Sequence, residues 1–151
     1  MEFTEVENKL VVTSTAEIYE RKTEANIVSP TIEVVWRVLQ PLYSSGYDEV
    51  KLNYKDKKAL AVLEGCIQNL IGFEIVQTGS NYVVIKSVSK QLDEEFPDLL
   101  RRTFLVMKQM SEIMKEVFEK RDKTRLAEIR PLEFTVNKYT MFLKRIINRT
   151  G

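Results

Sequence analysis

Two pairs of polar side chains in the C-terminal half of the sequence have a spacing that could serve chemistry. Glu133 and Asn137 are four positions apart, and so are Glu112 and Glu116. Residues four apart lie on one face of an α-helix, so each pair directs two oxygen donors the same way. Such donors can hold a metal ion. A neutral amide adds no charge, so Glu133 with Asn137 alone would bind weakly, and the ordinary interpretation of both pairs is a solvated helix face.

The absence of histidine removes most enzymatic chemistry. Without an imidazole, neither Ser-His-Asp nor Cys-His activation of a nucleophile can operate, and no histidine can bind a metal. The five glycines never cluster into a phosphate-binding loop. The single cysteine, Cys66, lies in an apolar run, so we predict that it is a small core residue. With no second cysteine an intrachain disulfide is excluded, which fits a reducing cytoplasm. We therefore predict that the protein is not an enzyme.

The composition predicts a soluble cytoplasmic protein. Of the residues, 44% are hydrophobic and 30% are charged, which is the balance of a folded soluble chain. The net charge of +1 gives no sign of a polyanionic partner or a membrane surface. No apolar run approaches the roughly 20 residues that a membrane span requires. The acidic N-terminus, MEFTEVENK, is unlike a signal peptide, so we predict no membrane insertion.

The elements before residue 90 predict a small α/β domain over residues 1–90. Ser29 is expected to cap a helix that ends near Gly46, and a second helix should span about residues 57–71. The segments that predict strands are KLVV, AEIYERKTEANIV, DEVKLNY, FEIVQT and NYVVIKSV. The last two are joined through Gly79 and Ser80, so they should pair as a β-hairpin. This order predicts a small mixed sheet with two helices.

The sequence beyond residue 90 predicts a long antiparallel helical hairpin over residues 91–151. Its apolar residues follow a helical period throughout, and Pro131 should bend or break the second helix near its start. The charge also changes: residues 1–89 carry 9 bases and 12 acids, a net of −3, whereas residues 90–151 carry 14 and 10, a net of +4. We therefore predict an α+β protein with two parts.

The first helix of this hairpin carries two adjacent apolar stripes. One has the alternating spacing of a coiled coil, and the second contains Leu100, Phe104, Met107, Met114 and Phe118. Two stripes form a face too wide for one neighbouring helix. Either a second copy packs against the hairpin, which predicts a homodimer, or the chain is the front part of a longer protein. The residues that we predict at an oligomer interface are Leu99, Val106, Met110, Ile113, Val117, Val136, Tyr139 and Leu143.

The basic end of the chain predicts an ordinary solvated helix terminus. Lys138, Lys144, Arg145 and Arg149 alternate with apolar residues and suit the negative pole of the helix dipole. The aromatic residues between them fall in or beside the apolar stripe, so they are not placed to stack on bases. We do not expect this chain alone to bind nucleic acid.

Three segments resemble a known family. LYSSGYDEVKL (42–52), LIGFEIVQTGSNYVVIKSV (70–88) and LLRRTFLVMKQM (99–110) are similar, in this order, to motifs of archaeal PhoU-like phosphate uptake regulators. Members often carry a SpoVT/AbrB-type DNA-binding domain at the N-terminus, and here the N-terminal segment is too short for a complete one. The best-matching residues are Gly46, Tyr47, Leu70, Ile71, Gly72, Glu74, Ile75, Arg101 and Arg102.

The resemblance implies a non-enzymatic PhoU-like helical bundle that restrains phosphate transport or signalling and contacts a phosphate transporter or signalling protein. Relatives bind metal through Glu/Asp-x-x-x-Asp motifs. Glu133 matches the first acid and Asn137 replaces the second, so an iron, zinc or manganese ion is a candidate cofactor only if other acids or another subunit complete the site. The nearest acids are Glu112, Glu116 and Glu119 on the preceding helix. Two alternatives remain: the ligand-sensing and dimerisation half of an AbrB-PhoU type transcription regulator, and a carboxylate-metal protein.

Overall fold

The computed structural model describes residues 2–6, 9–13, 20–88 and 96–150. It confirms the α+β class. The elements in chain order are β1 (Glu2–Val6), β2 (Lys9–Thr13), β3 (Lys22–Ile27), α1 (Ile32–Ser44), β4 (Glu49–Tyr54), α2 (Lys58–Ile67), β5 (Phe73–Thr78), β6 (Tyr82–Ser87), α3 (Phe96–Lys120), a short 3₁₀ helix (Thr124–Glu128) and α4 (Ile129–Thr150).

Four strands form a mixed sheet in the order β3-β4-β6-β5. β3 and β4 are parallel and are joined through α1, whereas β6 is antiparallel to both β4 and β5. The predicted hairpin of β5 and β6 is confirmed, with an irregularity between Ile75 and Gln77. β1 and β2 pair separately, antiparallel to each other. Part of the strand predicted from AEIYERKTEANIV lies outside the described residues, and the described part forms β3 from Lys22 onward.

The two faces of the sheet differ because the strand side chains alternate between them. Val50, Leu52 and Tyr54 of β4 are buried. They belong to a core with buried residues of the first two helices, among them Val35 and Leu63. The intervening positions are charged or polar, and Glu49 forms ion pairs with a lysine on each neighbouring strand. Alternation of this kind is typical of a sheet with one covered face.

The helix α1 begins later than the sequence predicts. Its N-cap is Thr31, which is extended, and the first helical hydrogen bond joins the Val35 N–H to the Thr31 carbonyl at 3.0 Å. The predicted Ser29 cap is therefore wrong. Threonine is also a favoured N-cap residue, and Thr31, two positions later, takes this place. The end is as predicted: Gly46 has a φ of +82°, which favours glycine because it has no Cβ.

α3 and α4 pack along each other as a helical hairpin. The segment before α4 is a 3₁₀ helix, and α4 begins at Ile129, so Pro131 lies in the first turn. The backbone nitrogens of a first turn have no helical partner, so a proline is tolerated there. The predicted break near Pro131 is thus found just before it.

The C-terminal part of α4 also belongs to the core of the sheet and its helices. Phe142 and Ile146 are buried in the same apolar cluster as the residues of the α/β part. The core is therefore continuous between residues of the first 90 positions and residues of the hairpin. α3 has no such role along most of its length, because its principal helical neighbour is α4.

Candidate functional site

A buried arginine joins α4 to the α/β part. Arg145 has no exposed surface, and its Nη1 donates a hydrogen bond to the carbonyl of Tyr43 at 3.0 Å. One turn further along α4, the side-chain amide of Asn148 donates to the carbonyl of Ser44 at 2.7 Å. The last carbonyls of a helix lack partners within it. Arg145 and Asn148 therefore cap the C-terminus of α1.

The charge of Arg145 is compensated by two aromatic rings and one carboxylate. Its guanidinium carbon lies 5.3 Å and 4.7 Å from the ring centroids of Tyr43 and Phe73, within the range of cation–π attraction. The carboxylate of Asp48 is 3.6 Å away and also pairs with Arg149 at 2.8 Å. Burial lowers the pKa of Arg145 to about 10. The prediction of a solvated basic end is wrong for Arg145, because the end of α1 offers it acceptors in the core.

Four exposed apolar side chains of α3 form a second stripe, which we call the α3 apolar face: Leu100, Phe104, Met107 and Phe118. Phe104 and Phe118 are 61% and 74% exposed. The stripe is turned by about 100° from the side that packs on α4, because successive helical residues differ by that angle. The sequence predicted two stripes, and among the residues that the structure describes only the first packs on a neighbouring helix.

The residues predicted at an oligomer interface lie mostly in the first stripe. Ile113, Val117 and Leu143 are buried within the chain itself, so in this fold they cannot offer surface to a partner. The others are half-buried: Leu99, Val106, Met110, Val136 and Tyr139. Free apolar surface is thus found on the neighbouring stripe instead.

The carboxylates predicted to hold a metal are occupied or apart. Glu116 accepts from Lys120 at 3.2 Å and from Arg125 at 2.7 Å, and the pKa of its carboxyl is lowered, chiefly by Lys120. Glu112 pairs with Lys108, and Glu133 is exposed on the other helix. The described residues contain no group of three or more His, Cys, Asp or Glu side chains that could hold a metal. The donor set in this part of one chain does not fit an iron, zinc or manganese centre.

Asn137 instead lines a groove of about 820 Å³ between α1 and α4, which we call the α1–α4 groove. α1 contributes Trp36 and Gln40 to one wall, and α4 contributes Met141 and Lys144 to the other. Asn148, which caps α1, also lines the groove. The sequence offered no signal for it, because its walls come from segments about 100 residues apart.

Comparison with known proteins found no match to a family model, to a curated protein or to a solved structure. Among the helices that the structure describes, none is both long enough and apolar enough to cross a membrane.

Proposed function

We propose that this chain is a non-enzymatic cytoplasmic regulator or adaptor that works through protein contacts, and that it pairs with a second copy through the α3 apolar face. The exposure of this face carries the proposal. α3 has 25 residues and two apolar stripes, and α4 covers only one of them. Exposed contiguous apolar surface marks an interaction site. Two hairpins that bury these faces against each other would form a four-helix bundle.

The charges beside the α3 apolar face favour a second copy over an unlike partner. Lys108 pairs with Glu112 and Lys115 pairs with Glu119, each at 3.7 Å, along one edge of the face. If two α3 helices lie antiparallel about a two-fold axis between Ile113 and Met114, Lys108 of one copy is opposite Glu119 of the other. Glu112 is then opposite Lys115. A surface that complements itself in this way suits a symmetric dimer.

The link to phosphate uptake rests on the resemblance of the three sequence motifs to PhoU-like regulators. In that proposal the dimer contacts a phosphate transporter or a signalling protein. A second candidate is the ligand-sensing and dimerisation half of an AbrB-PhoU type transcription regulator. The α1–α4 groove favours it, because a sensor requires a ligand site and the groove lies beside the helix that completes the hairpin.

Size-exclusion chromatography with light scattering tests the dimer. The wild type is expected at twice the chain mass of 17.6 kDa, and Phe104→Lys is expected at the mass of one chain. The matched control is Leu105→Lys: Leu105 is 57% exposed, close to Phe104, but it points about 100° away from the face. Leu105→Lys should remain a dimer. A monomeric wild type, or equal masses for both variants, would contradict the proposed pairing.

Phosphate uptake is tested separately. Deleting the gene in the source organism should change the rate of phosphate uptake, and the wild type and Leu105→Lys should restore it whereas Phe104→Lys should not. If deletion leaves uptake unchanged while the purified protein is a dimer, the phosphate part of the proposal fails and the dimer stands.

A further inference from the structure

We propose that the α1–α4 groove binds an anionic small molecule that carries a flat ring, of about the size of a nucleotide. The groove lies within one chain, so this proposal does not depend on the dimer. Its volume of about 820 Å³ falls within the range of roughly 300–1,000 Å³ that is usual for small-molecule sites.

The apolar part of the groove suits a ring. Trp36 and Pro41 line it from α1, and Phe134 and Met141 line it from α4. Phe134 is half exposed, so its ring is not consumed by packing within the chain. Aromatic and thioether side chains make favourable contacts with flat rings. A ring inserted between the two walls would cover this surface.

The charged part suits an anion. Lys138 and Lys144 line the groove, and no Asp or Glu lines it among the residues that the structure describes. Within that part of the chain neither lysine has an ion-pair partner. Lys138 also borders a neighbouring cavity that Glu64 and Glu74 line, so Lys144 is the base that belongs to this groove alone.

One effect opposes an anion, and the structure offsets it. The C-terminus of α1 lies at the groove and carries the negative end of the helix dipole. Its last carbonyls, those of Tyr43 and Ser44, accept hydrogen bonds from Arg145 and Asn148. The full positive charge of Arg145 stands beside this end, so the partial negative charge is compensated before a ligand arrives.

The amide of Asn137 fits the same ligand. It lines the groove, and within the described part of the chain its side chain makes no hydrogen bond. An amide can donate to an anionic oxygen, whereas a carboxylate only accepts and would repel it. The resemblance to PhoU-like proteins leads us to expect an acid at position 137. Asn137 is instead compatible with a bound anion.

Calorimetric titration with AMP and ATP tests the proposal, with adenosine and inorganic phosphate as the separate halves of the ligand. Trp36 is the only tryptophan, so its fluorescence gives a second, local readout. At least one of the two nucleotides should bind and change this fluorescence, while each half binds more weakly. Lys144→Gln removes one charge–charge contact and is expected to weaken nucleotide binding by about tenfold. Asn137→Asp should weaken binding as well, because a carboxylate repels the anion. Lys57→Gln, exposed at the start of α2 and away from both the groove and α3, is the matched control and should bind as the wild type does.

Several results would overturn this assignment. They are the absence of heat and of fluorescence change with both nucleotides, equal binding of phosphate alone, and unchanged binding in Lys144→Gln. Because Lys144 is exposed, this variant should keep the wild-type circular dichroism, which separates loss of binding from loss of fold. Phe104→Lys should retain the site, so failure of the dimer and failure of the groove are distinguishable.

Discussion

Replacing Arg145 separates the contribution of its shape from that of its charge. The decrease of its pKa from 12.5 to about 10 means that burying the charged form costs about 3 kcal/mol. The hydrogen bond from Arg145 to the Tyr43 carbonyl works the other way, because a hydrogen bond to a charged group contributes about 1.5–3 kcal/mol. The carbonyl keeps a second hydrogen bond, from the Gly46 N–H at 3.1 Å, when Arg145 is replaced. Asp48 keeps Arg149 and the Arg21 N–H as partners in either case. The two effects nearly cancel when the volume of the side chain is preserved.

Arg145→Met keeps most of the apolar part of the side chain beside Tyr43 and Phe73. Its free energy of unfolding is therefore expected to lie within about 1 kcal/mol of that of the wild type. Arg145→Ala leaves a cavity as well as losing the hydrogen bond to the Tyr43 carbonyl, and its free energy of unfolding should fall by about 3–5 kcal/mol. Urea unfolding followed by Trp36 fluorescence and circular dichroism measures both, with the exposed Arg102→Met as a control. If Arg145→Met is as unstable as Arg145→Ala, the charge and its hydrogen bonds carry the stability, and the reasoning from cancellation is refuted.

Three further predictions concern the α/β part. Lys86 first, and then Lys22, lower the pKa of Glu49 below its ordinary value of 4.5, so the stability from this cluster is present above pH 4.5 and is lost as the pH falls through the folded-state pKa. When the free energy of unfolding is measured against pH in acid, Glu49→Gln should reduce this loss by less than about 1 kcal/mol. A pH profile identical to that of the wild type would contradict the prediction. Gly46→Ala should lower the free energy of unfolding by about 1–2 kcal/mol, because φ is positive there and the new Cβ would lie 3.3 Å from Cβ of Arg149. Gly65→Ala, in open space on α2, should raise it by about 0.5–1 kcal/mol. Thermal melts in which the two variants have the same midpoint would contradict this. Cys66 is buried and its thiol pKa is raised by burial, so a thiol reagent should label it only as fast as the chain unfolds, and rapid labelling of the native protein would show that the site opens without unfolding.

The elements that sequence reasoning predicts well are those with strong local signals. The hairpin of β5 and β6 follows from alternating apolar residues on either side of Gly79, and the end of α1 follows from Gly46. The two stripes of α3 follow from spacing alone. Where two nearby residues can both serve as the N-cap, as Ser29 and Thr31 can, the predicted start of a helix is displaced.

The features that the sequence does not predict depend on distant partners. From the sequence, Arg145 is expected to be an exposed basic residue. Its hydrogen-bond acceptor in the core is the backbone carbonyl of Tyr43, and because every residue has a backbone carbonyl, the sequence gives no signal for this contact. Asn137 was recognised as a departure from a metal motif, but its place in a groove depends on Trp36 and Gln40 of α1. The predicted oligomer residues share this limitation: spacing identifies an apolar stripe, whereas the choice of stripe for α4 depends on packing in three dimensions.

The capping of α1 by α4 ties the order of folding to the order of synthesis. Arg145 and Tyr43 are 102 positions apart, so the strands and first helices leave the ribosome long before the residues that complete their core. Until Phe142 and Ile146 arrive, the nascent α/β part exposes apolar surface, and the end of α1 lacks the hydrogen bonds that Arg145 and Asn148 donate to it. The two parts of the chain should consequently gain and lose their structure together, and damage to the last turns of α4 should be felt in the sheet as much as in the hairpin.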